Sequence, residues 1–281
     1  WGPGRPGWHI ECSVMSASIL GDHFDFHGGG RDLLFPHHEN ERAQSCSCTE
    51  NKFVNYWLHN GLLYLGDKKM SKSDGNFFAV GEVLEKFRPE VVRFFLLNAH
   101  FRSQIDYSEE RLKEAESALD RLTRASVKLV ENSEYAEKRD LTEGEQVILQ
   151  SVADYRRRFF ESMDDDFNSA GAIGVLFSLS KELNQYYSSL DGNFSAFEII
   201  DSAKQFFSEG IEVLGLWRGG FAEMSKSYDN NIPSEISELA IDRDKAREEK
   251  DWARADEIRD ELQEKGFSVE DSSSGTVVRP I

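Results

Sequence analysis

The chain has 281 residues, with 33 Lys and Arg against 51 Asp and Glu, a formal charge of −18. A composition of 39% hydrophobic and 30% charged residues describes a soluble globular protein of one large or two to three ordinary domains, and excludes a disordered tail. No apolar run reaches the roughly 18–20 residues of a spanning helix, and three cysteines are too few for a disulfide framework, so a reducing cytoplasm is the expected compartment.

Charge and chemistry are unevenly spread. Residues 1–100 hold 10 basic and 12 acidic residues, which leaves most of the negative charge in the remainder. All 7 histidines, all 3 cysteines and 11 of the 21 glycines fall in those first 100 residues, so the chemistry is expected there. The acidic balance argues against non-specific nucleic-acid binding, though not against a specific RNA partner meeting a local basic face. The absence of an initiating Met before Trp1 suggests the C-terminal part of a longer protein.

In chain order, the first stretch reads as α/β. His23–His27 predicts a short strand running into a turn at Gly28-Gly29-Gly30. Pro36 suits a helical first turn, so a helix is expected over 36–47. Strands follow at 54–59 and 62–65, with Asn60-Gly61 as a hairpin-type turn between them. A loop rich in Gly and Lys spans 66–76, and helical patterning begins near Val80, punctuated by Pro89. From Ser108, a serine-capped amphipathic helix places Leu112, Ala115, Leu119, Leu122 and Val127 on one face. Similar runs at 141–161, 168–188 and 195–215 predict a helical bundle. A turn-rich linker is expected at 218–233, then helices at 234–250 and 252–265, a Gly266 cap, and two short strands at 267–270 and 276–279.

The fold class is therefore α/β, followed by an all-α bundle and a small α+β C-terminal unit. The expected domains are 1–80 for nucleotide binding, 81–217 for the connecting region and bundle, 218–233 for the linker, and 234–281 for the terminal unit.

Three motifs carry chemistry. In FPHHENE, a helix beginning at Pro36 sets His37 and Glu41 at i and i+4 on one face, whereas His38 would pair with Arg42, which holds no cation. With Cys12 from WHIECS, they offer the sulfur, nitrogen and oxygen donors that zinc accepts. The plainer reading, a core cysteine and a polar helix start, stands beside it. Cys46 and Cys48 alternate on a helix, point to different faces, and read as structural or exposed. The second motif, KKMSKSDGN (68–76), joins the ammonium groups of Lys68, Lys69 and Lys72 to hydroxyls and a glycine, a combination suited to polyphosphate. An exposed basic turn is the plain alternative. Met224–Ser227 repeats MSKS without the preceding strand or the following Gly-Asn, and receives no role. Third, His27-Gly28-Gly29-Gly30-Arg31-Asp32 lies at the carboxyl end of a strand, where open α/β sheets bind ligands, although a tight structural turn is equally consistent with it.

Taken in order, GRPGWHIECS (4–13), FDFHGGGRDLLFPHHENERAQS (24–45), YWLHNG (56–61), KMSKSDGN (69–76) and KDWARADEIRDEL (250–262) closely resemble the bacterial-type cysteinyl-tRNA synthetase family, a branch of the class I aminoacyl-tRNA synthetases. The resemblance implies an AMP-forming ligase that joins L-cysteine to tRNA(Cys) using ATP with Mg2+, with one zinc ion per chain recognising the substrate thiol. It implies Cys12, His37 and Glu41 as metal ligands and Trp8 as a wall of the amino-acid site. His27, Gly29 and Asp32 would hold adenosine, with Lys72 and Lys69 at the phosphates. Arg247, Trp252, Asp256 and Asp271 match anticodon-reading positions, for which core packing of Trp252 and a surface charge network are the plain alternatives. It further implies a monomer with no membrane partner, and a fragment that is silent by itself, because the family's first zinc cysteine and HIGH-type ATP motif lie outside this sequence. Two other readings are a cysteine ligase of thiol biosynthesis, disfavoured by the match over 234–281, and a non-catalytic RNA-binding paralogue, disfavoured by the intact Cys12, His37, Glu41 and Lys72.

Overall fold

A computed structural model describes residues 2–49, 52–66, 68–69, 79–190, 194–227, 234–272 and 275–280. The chain divides into two compact units, residues 1–121 with 141–191, and residues 122–140 with 192–281. Among the described residues, no helix is long and apolar enough to cross a membrane.

The first unit opens with helix α1 (Ile10–Leu20), then strand β1 (Phe24–Gly30), a 3-10 turn (Arg31–Leu33), a π-type turn (Leu34–His38) and helix α2 (Glu39–Cys48). Strand β2 (Val54–Asn60) pairs with β1 in parallel, Phe26 opposite Tyr56 and Gly29 opposite His59. One expectation fails in this stretch. The three glycines are the end of β1 rather than a turn. As expected, the backbone is helical from Pro36 on, running through His38 into α2, while Phe35, sterically restricted by the following proline, is extended at φ −136° and ψ 132° just before it.

Asn60-Gly61 does not close a hairpin either. Strand β3 (Leu63–Leu65) belongs to another sheet, between β4 (Lys68–Lys69) and β5 (Ile105–Asp106), antiparallel to the first and parallel to the second. Helices α3 (Val80–Leu84) and α4 (Pro89–Leu97) follow, with Pro89 in the first turn where its missing N–H costs nothing.

Helix α5 (Glu109–Tyr135) runs through both units. Its Arg111 N–H donates to Ser108 Oγ at 3.1 Å, the expected serine cap. The face expected to be apolar is buried at Leu112, Ala115, Leu119, Leu122 and Val127. In the first unit α6 (Glu143–Asp164) and α7 (Ser169–Ser189) pack together, and α6 begins with a reciprocal capping box between Thr142 and Glu145. Phe94, Leu112, Phe159, Ile173 and Leu176 form the interior there.

In the second unit α8 (Phe197–Leu214) packs against α9 (Gly220–Ser227). The segment expected as a linker from 218 therefore starts with a helix, and its Phe221 and Met224 are buried. The terminal part joins α10 (Ser234–Glu248) and α11 (Trp252–Glu264) to an antiparallel hairpin of β6 (Phe267–Ser272) and β7 (Gly275–Pro280). Ile236, Ala240, Ile258, Leu262 and Val278 make its small core. Gly266, with φ +85°, makes the turn into β6 that a side chain would strain.

Candidate functional site

Helices α1 and α2 lie side by side in the first unit, and the face where they meet is polar. Ser13 Oγ donates to the Glu41 carbonyl at 3.4 Å and to Gln44 Oε1 at 3.3 Å, tying one helix to the other. One turn earlier, His9 Nε2 and His37 Nδ1 share a hydrogen bond of 3.0 Å, and Asn40 Nδ2 donates to His9 Nδ1 at 3.3 Å. Cys12, half-buried on the same face of α1, lies beside the Glu41 carboxylate. Burial, then the neighbouring Glu41 charge, pushes its thiol pKa up.

Glu41 is the centre of the arrangement. It is 4% exposed, and its Oε2 accepts no hydrogen bond. His27 Nε2, from β1, lies 3.1 Å from that oxygen, within ion-pair distance but out of line for a hydrogen bond. His38, 5% exposed, turns its ring edge-on to His27 with centroids 4.7 Å apart. His38 Nδ1 and His59 Nε2 share a hydrogen bond of 2.9 Å, and the Trp57 ring covers both His27 and His38. Burial, then the charges of His27, His59 and His37, holds the His38 imidazole down to about 4, so it is neutral at physiological pH. Burial, followed by Arg102, lowers the pKa of His59 as well.

The ligand atoms of His27, His38 and Glu41 lie within 4.8 Å of one another. This is the sequence-expected chemistry with a different membership. The structure brings Cys12 to Glu41 as expected, but the imidazoles grouped with Glu41 are His27 and His38, while His37 faces His9. His38 stands three residues before Glu41 and His37 four, and both spacings share a helix face, so spacing alone does not choose between them. A buried carboxylate oxygen lacking a hydrogen-bond partner, beside imidazoles and a thiol, fits a divalent cation of the zinc type.

Gly29 is needed for this packing. A Cβ there would stand 2.8 Å from His38 Cε1 and 3.0 Å from Nε2. Asp32, in the 3-10 turn just past β1, is exposed, and a Cβ on Gly30 would fall 2.4 Å from its Oδ1. Trp8, at the entry to α1, is 80% exposed. Lys69 is in β4, with its side chain outside the described structure; Lys72 lies outside the described residues.

In the terminal unit Arg247 is half-buried on α10 and Asp256 is exposed on α11. Trp252 is the first residue of α11 and 59% exposed, so core packing does not account for it. Asp271 is paired with Thr276 in the hairpin backbone, its side chain outside the described structure.

Residues missed as functional candidates are His38 and His59. Both stood within quoted motifs, and the signal that could have found His38 is its i, i+3 spacing from Glu41, which shares a helix face as i, i+4 does.

Compared with known proteins, the chain matches three family descriptions in succession: "tRNA synthetases class I (C) catalytic domain" over 1–117, "DALR domain" over 158–218, and "Cysteinyl-tRNA ligase anticodon binding domain" over 229–279. A solved chain from Agrobacterium radiobacter K84, the agnB2 LeuRS of a ternary complex with tRNA and LeuAMS, aligns with a TM-score of 0.51. Its 16% identity, covering 68% of this chain and 27% of that one, shows the fold alone. The fold and its catalytic-domain match are those of a class I aminoacyl-tRNA synthetase.

Among curated relatives, the protein named Cysteine--tRNA ligase in Shouchella clausii (strain KSM-K16) is 46% identical over 275 residues, and its namesake in Francisella tularensis subsp. tularensis (strain WY96-3418) is 44% identical over 276. Each alignment covers 98% of this chain and 56% of the relative, so the chain spans a little over half the length of these proteins. Over the residues it has, the chain belongs to the cysteine--tRNA ligase family.

Proposed function

We propose that the protein to which this chain belongs activates L-cysteine with ATP and Mg2+ and transfers the cysteinyl group to the 3′ end of tRNA(Cys). The observation carrying this reading is the Glu41 carboxylate, buried with an unsatisfied oxygen between the Cys12 thiol and two imidazoles, in a chain of this family. In the first step the substrate carboxylate attacks the α-phosphorus in line, releasing pyrophosphate and forming cysteinyl adenylate. In the second, a terminal ribose hydroxyl of tRNA attacks the acyl carbon and AMP departs. Neither step needs a protein nucleophile, so the residues act by positioning and charge.

In this reading Asp32 accepts from the ribose hydroxyls, and the β1 glycines admit the base to the backbone. Lys69 and Lys72 neutralise charge as pyrophosphate leaves. Exposed Trp8 walls the amino-acid side chain. Zinc held by Cys12, His37 and Glu41 would supply a soft Lewis-acid contact that favours a thiol over the hydroxyl of serine. Such a contact offers discrimination beyond the roughly 1–3 kcal/mol of apolar packing, so no editing site is required. Arg247, Trp252, Asp256 and Asp271 read the anticodon, with Trp252 as a stacking platform. The three free cysteines accord with a reducing cytoplasm.

The test is cysteine-dependent ATP–pyrophosphate exchange by the longer protein, with elemental analysis for about one zinc per chain. We expect exchange with cysteine, none with serine, and none from residues 1–281 alone. Exchange driven equally by another amino acid would overturn the reading.

A further inference from the structure

We propose that Arg243 and Asp244 are positioning residues for anticodon reading: acting through Thr276, they fix the tip of the β6–β7 hairpin, where Asp271 stands. The inference rests on the assignment of Arg247, Trp252, Asp256 and Asp271 to the anticodon made above, and adds to it two residues that need touch no RNA.

Register carries it. Asp271 of β6 lies directly opposite Thr276 of β7. The Thr276 N–H donates to Asp244 on α10, 2.8 Å from Oδ1 and 2.9 Å from Oδ2. That amide is spent on the helix and not on β6, so residues 271 and 276 form a non-hydrogen-bonded pair. Backbones run closest at such a pair, with about 4.5 Å between Cα atoms. The Thr276 hydroxyl donates to Asp244 Oδ1 and accepts from Arg243 Nη1 at 2.7 Å. Two consecutive residues of α10 thus use both the donor and the acceptor capacity of one side chain. The strand cannot slide along the helix without breaking a charge-assisted bond.

Place in the hairpin explains why such a grip matters. The small core of Ile236, Ala240, Ile258, Leu262 and Val278 anchors the hairpin at the Val269–Val278 pair. Asp271 and Thr276 lie two residues beyond that anchor, beside the last described pair, Ser272 with Gly275. A two-stranded hairpin is marginal in water by itself, so beyond Val278 the tip depends on polar ties to α10. Burial points the same way. Arg243 is 6% exposed, and desolvating a guanidinium carries a cost that an apolar side chain of similar size would not. What the charged group adds is direction, a bond to one hydroxyl at one height on the strand.

Helix α10 also carries Arg247, one turn after Arg243. Its corner into α11 is closed by the Asp251 N–H donating to the Ala246 carbonyl at 2.8 Å, and the Asp251 side chain caps α11 by accepting from the Arg254 N–H at 3.1 Å. One helix is therefore the common reference for all four positions: Arg247 on itself, Trp252 and Asp256 across the corner, and Asp271 through Thr276.

The test is aminoacylation of tRNA(Cys) by the longer protein. Asp244→Ala and Thr276→Val should each raise KM for tRNA about tenfold, with kcat and cysteine-dependent ATP–pyrophosphate exchange unchanged. Thr276→Ser, which keeps the hydroxyl, should behave as the parent. Asp271→Ala should raise KM as well, and adding Asp244→Ala to it should cost less than about a further twofold, because both changes remove the same contact. Thr276→Val keeps the β-branched shape and decides the matter if circular dichroism shows that Asp244→Ala does not fold. Parent KM in Thr276→Val, or losses that multiply in full in the double variant, would overturn the proposal. Parent charging by Asp271→Ala would remove the anticodon reading and this inference with it. A loss in Asp271→Ala beside parent KM in Asp244→Ala and Thr276→Val would sink the positioning role alone.

Discussion

Gly61→Ala is the most severe single-methyl change the first unit offers. Gly61 follows β2, and its N–H donates to the Phe101 carbonyl at 2.7 Å, while Ile105 N–H donates to the Leu62 carbonyl at 3.1 Å. These two bonds hold the loop His100–Ser103 against the end of β2 and set the Leu63–Ile105 pairing. A Cβ at 61 would stand 1.7 Å from the Ser103 carbonyl oxygen and 2.3 Å from its carbon. Both are backbone atoms, and the shorter separation must double to reach the 3.4 Å at which ordinary contact begins. Overpacking strain of about 1–3 kcal/mol and two lost backbone hydrogen bonds of about 1 kcal/mol each give roughly 3–5 kcal/mol. Against a typical domain stability of about 5–15 kcal/mol, that is a large fraction. Thermal unfolding followed by circular dichroism should show a fall of about 10 °C or more in the midpoint assigned to the first unit. Gly81→Ala is the control, because nothing lies within 4 Å of its Cβ and it sits in α3, where alanine should gain about 0.5–1 kcal/mol. If Gly61→Ala melts within about 2 °C of the parent, the packing argument is wrong.

Tyr186→Phe removes the hydroxyl that donates to Glu145 Oε1 at 2.8 Å, in a pair 3% and 6% exposed, and should cost about 1.5–3 kcal/mol in a urea titration. In chelator-treated protein, unfolded His38 takes a proton near pH 6.5 that the folded ring refuses until about 4, so stability should fall as pH drops through that window. His38→Gln should flatten the urea-midpoint profile over that window; an unchanged slope would exclude His38 as its source. Cutting after Ser227 should preserve the melting transition of the α8 and α9 part of the second unit, whereas cutting at Gly219 removes buried Phe221 and Met224 and should lower it by several degrees. In the longer protein, the cut after Ser227 should keep cysteinyl-adenylate formation and lose tRNA charging; full charging would refute the assignment of 234–281 to the anticodon.

The helical half was legible because burial there follows one physical rule. Leu112, Ala115, Leu119 and Leu122 recur at helical spacing and are all buried, since a long helix in water must hide one stripe. Helix α9 escaped because Gly219, Gly220 and the Ser-Lys-Ser end read as turn residues, while its two buried anchors, Phe221 and Met224, make too short a stripe to register. Helix α1 escaped for the opposite reason. Its side facing α2 carries His9, Cys12 and Ser13, and its apolar Val14, Met15 and Ile19 are exposed, so periodicity points away from the face that packs.

That inversion explains why the site was only partly readable. A sequence pattern locates a helix by the water it avoids, whereas a metal-type site is a polar face kept from water, and it cancels the signal it would be found by. Residue types survived the cancellation: Cys12 and Glu41 do meet. Residue identity at one-position resolution did not, because i, i+3 and i, i+4 spacings share a helix face. His37 and His38 both precede Glu41 at such a spacing, and the packing of His38 against Gly29, Trp57 and His59 decides that His38 turns inward. Filling the space beside that ring should therefore redistribute the imidazoles. In Gly29→Ala, a Cβ 2.8 Å from His38 Cε1 would push the ring away and break the His38–His59 hydrogen bond. Nuclear magnetic resonance of the histidine ring nitrogens, read in both proteins, would show that exchange, and an unchanged His38–His59 coupling would mean that the space left by Gly29 does not hold the ring.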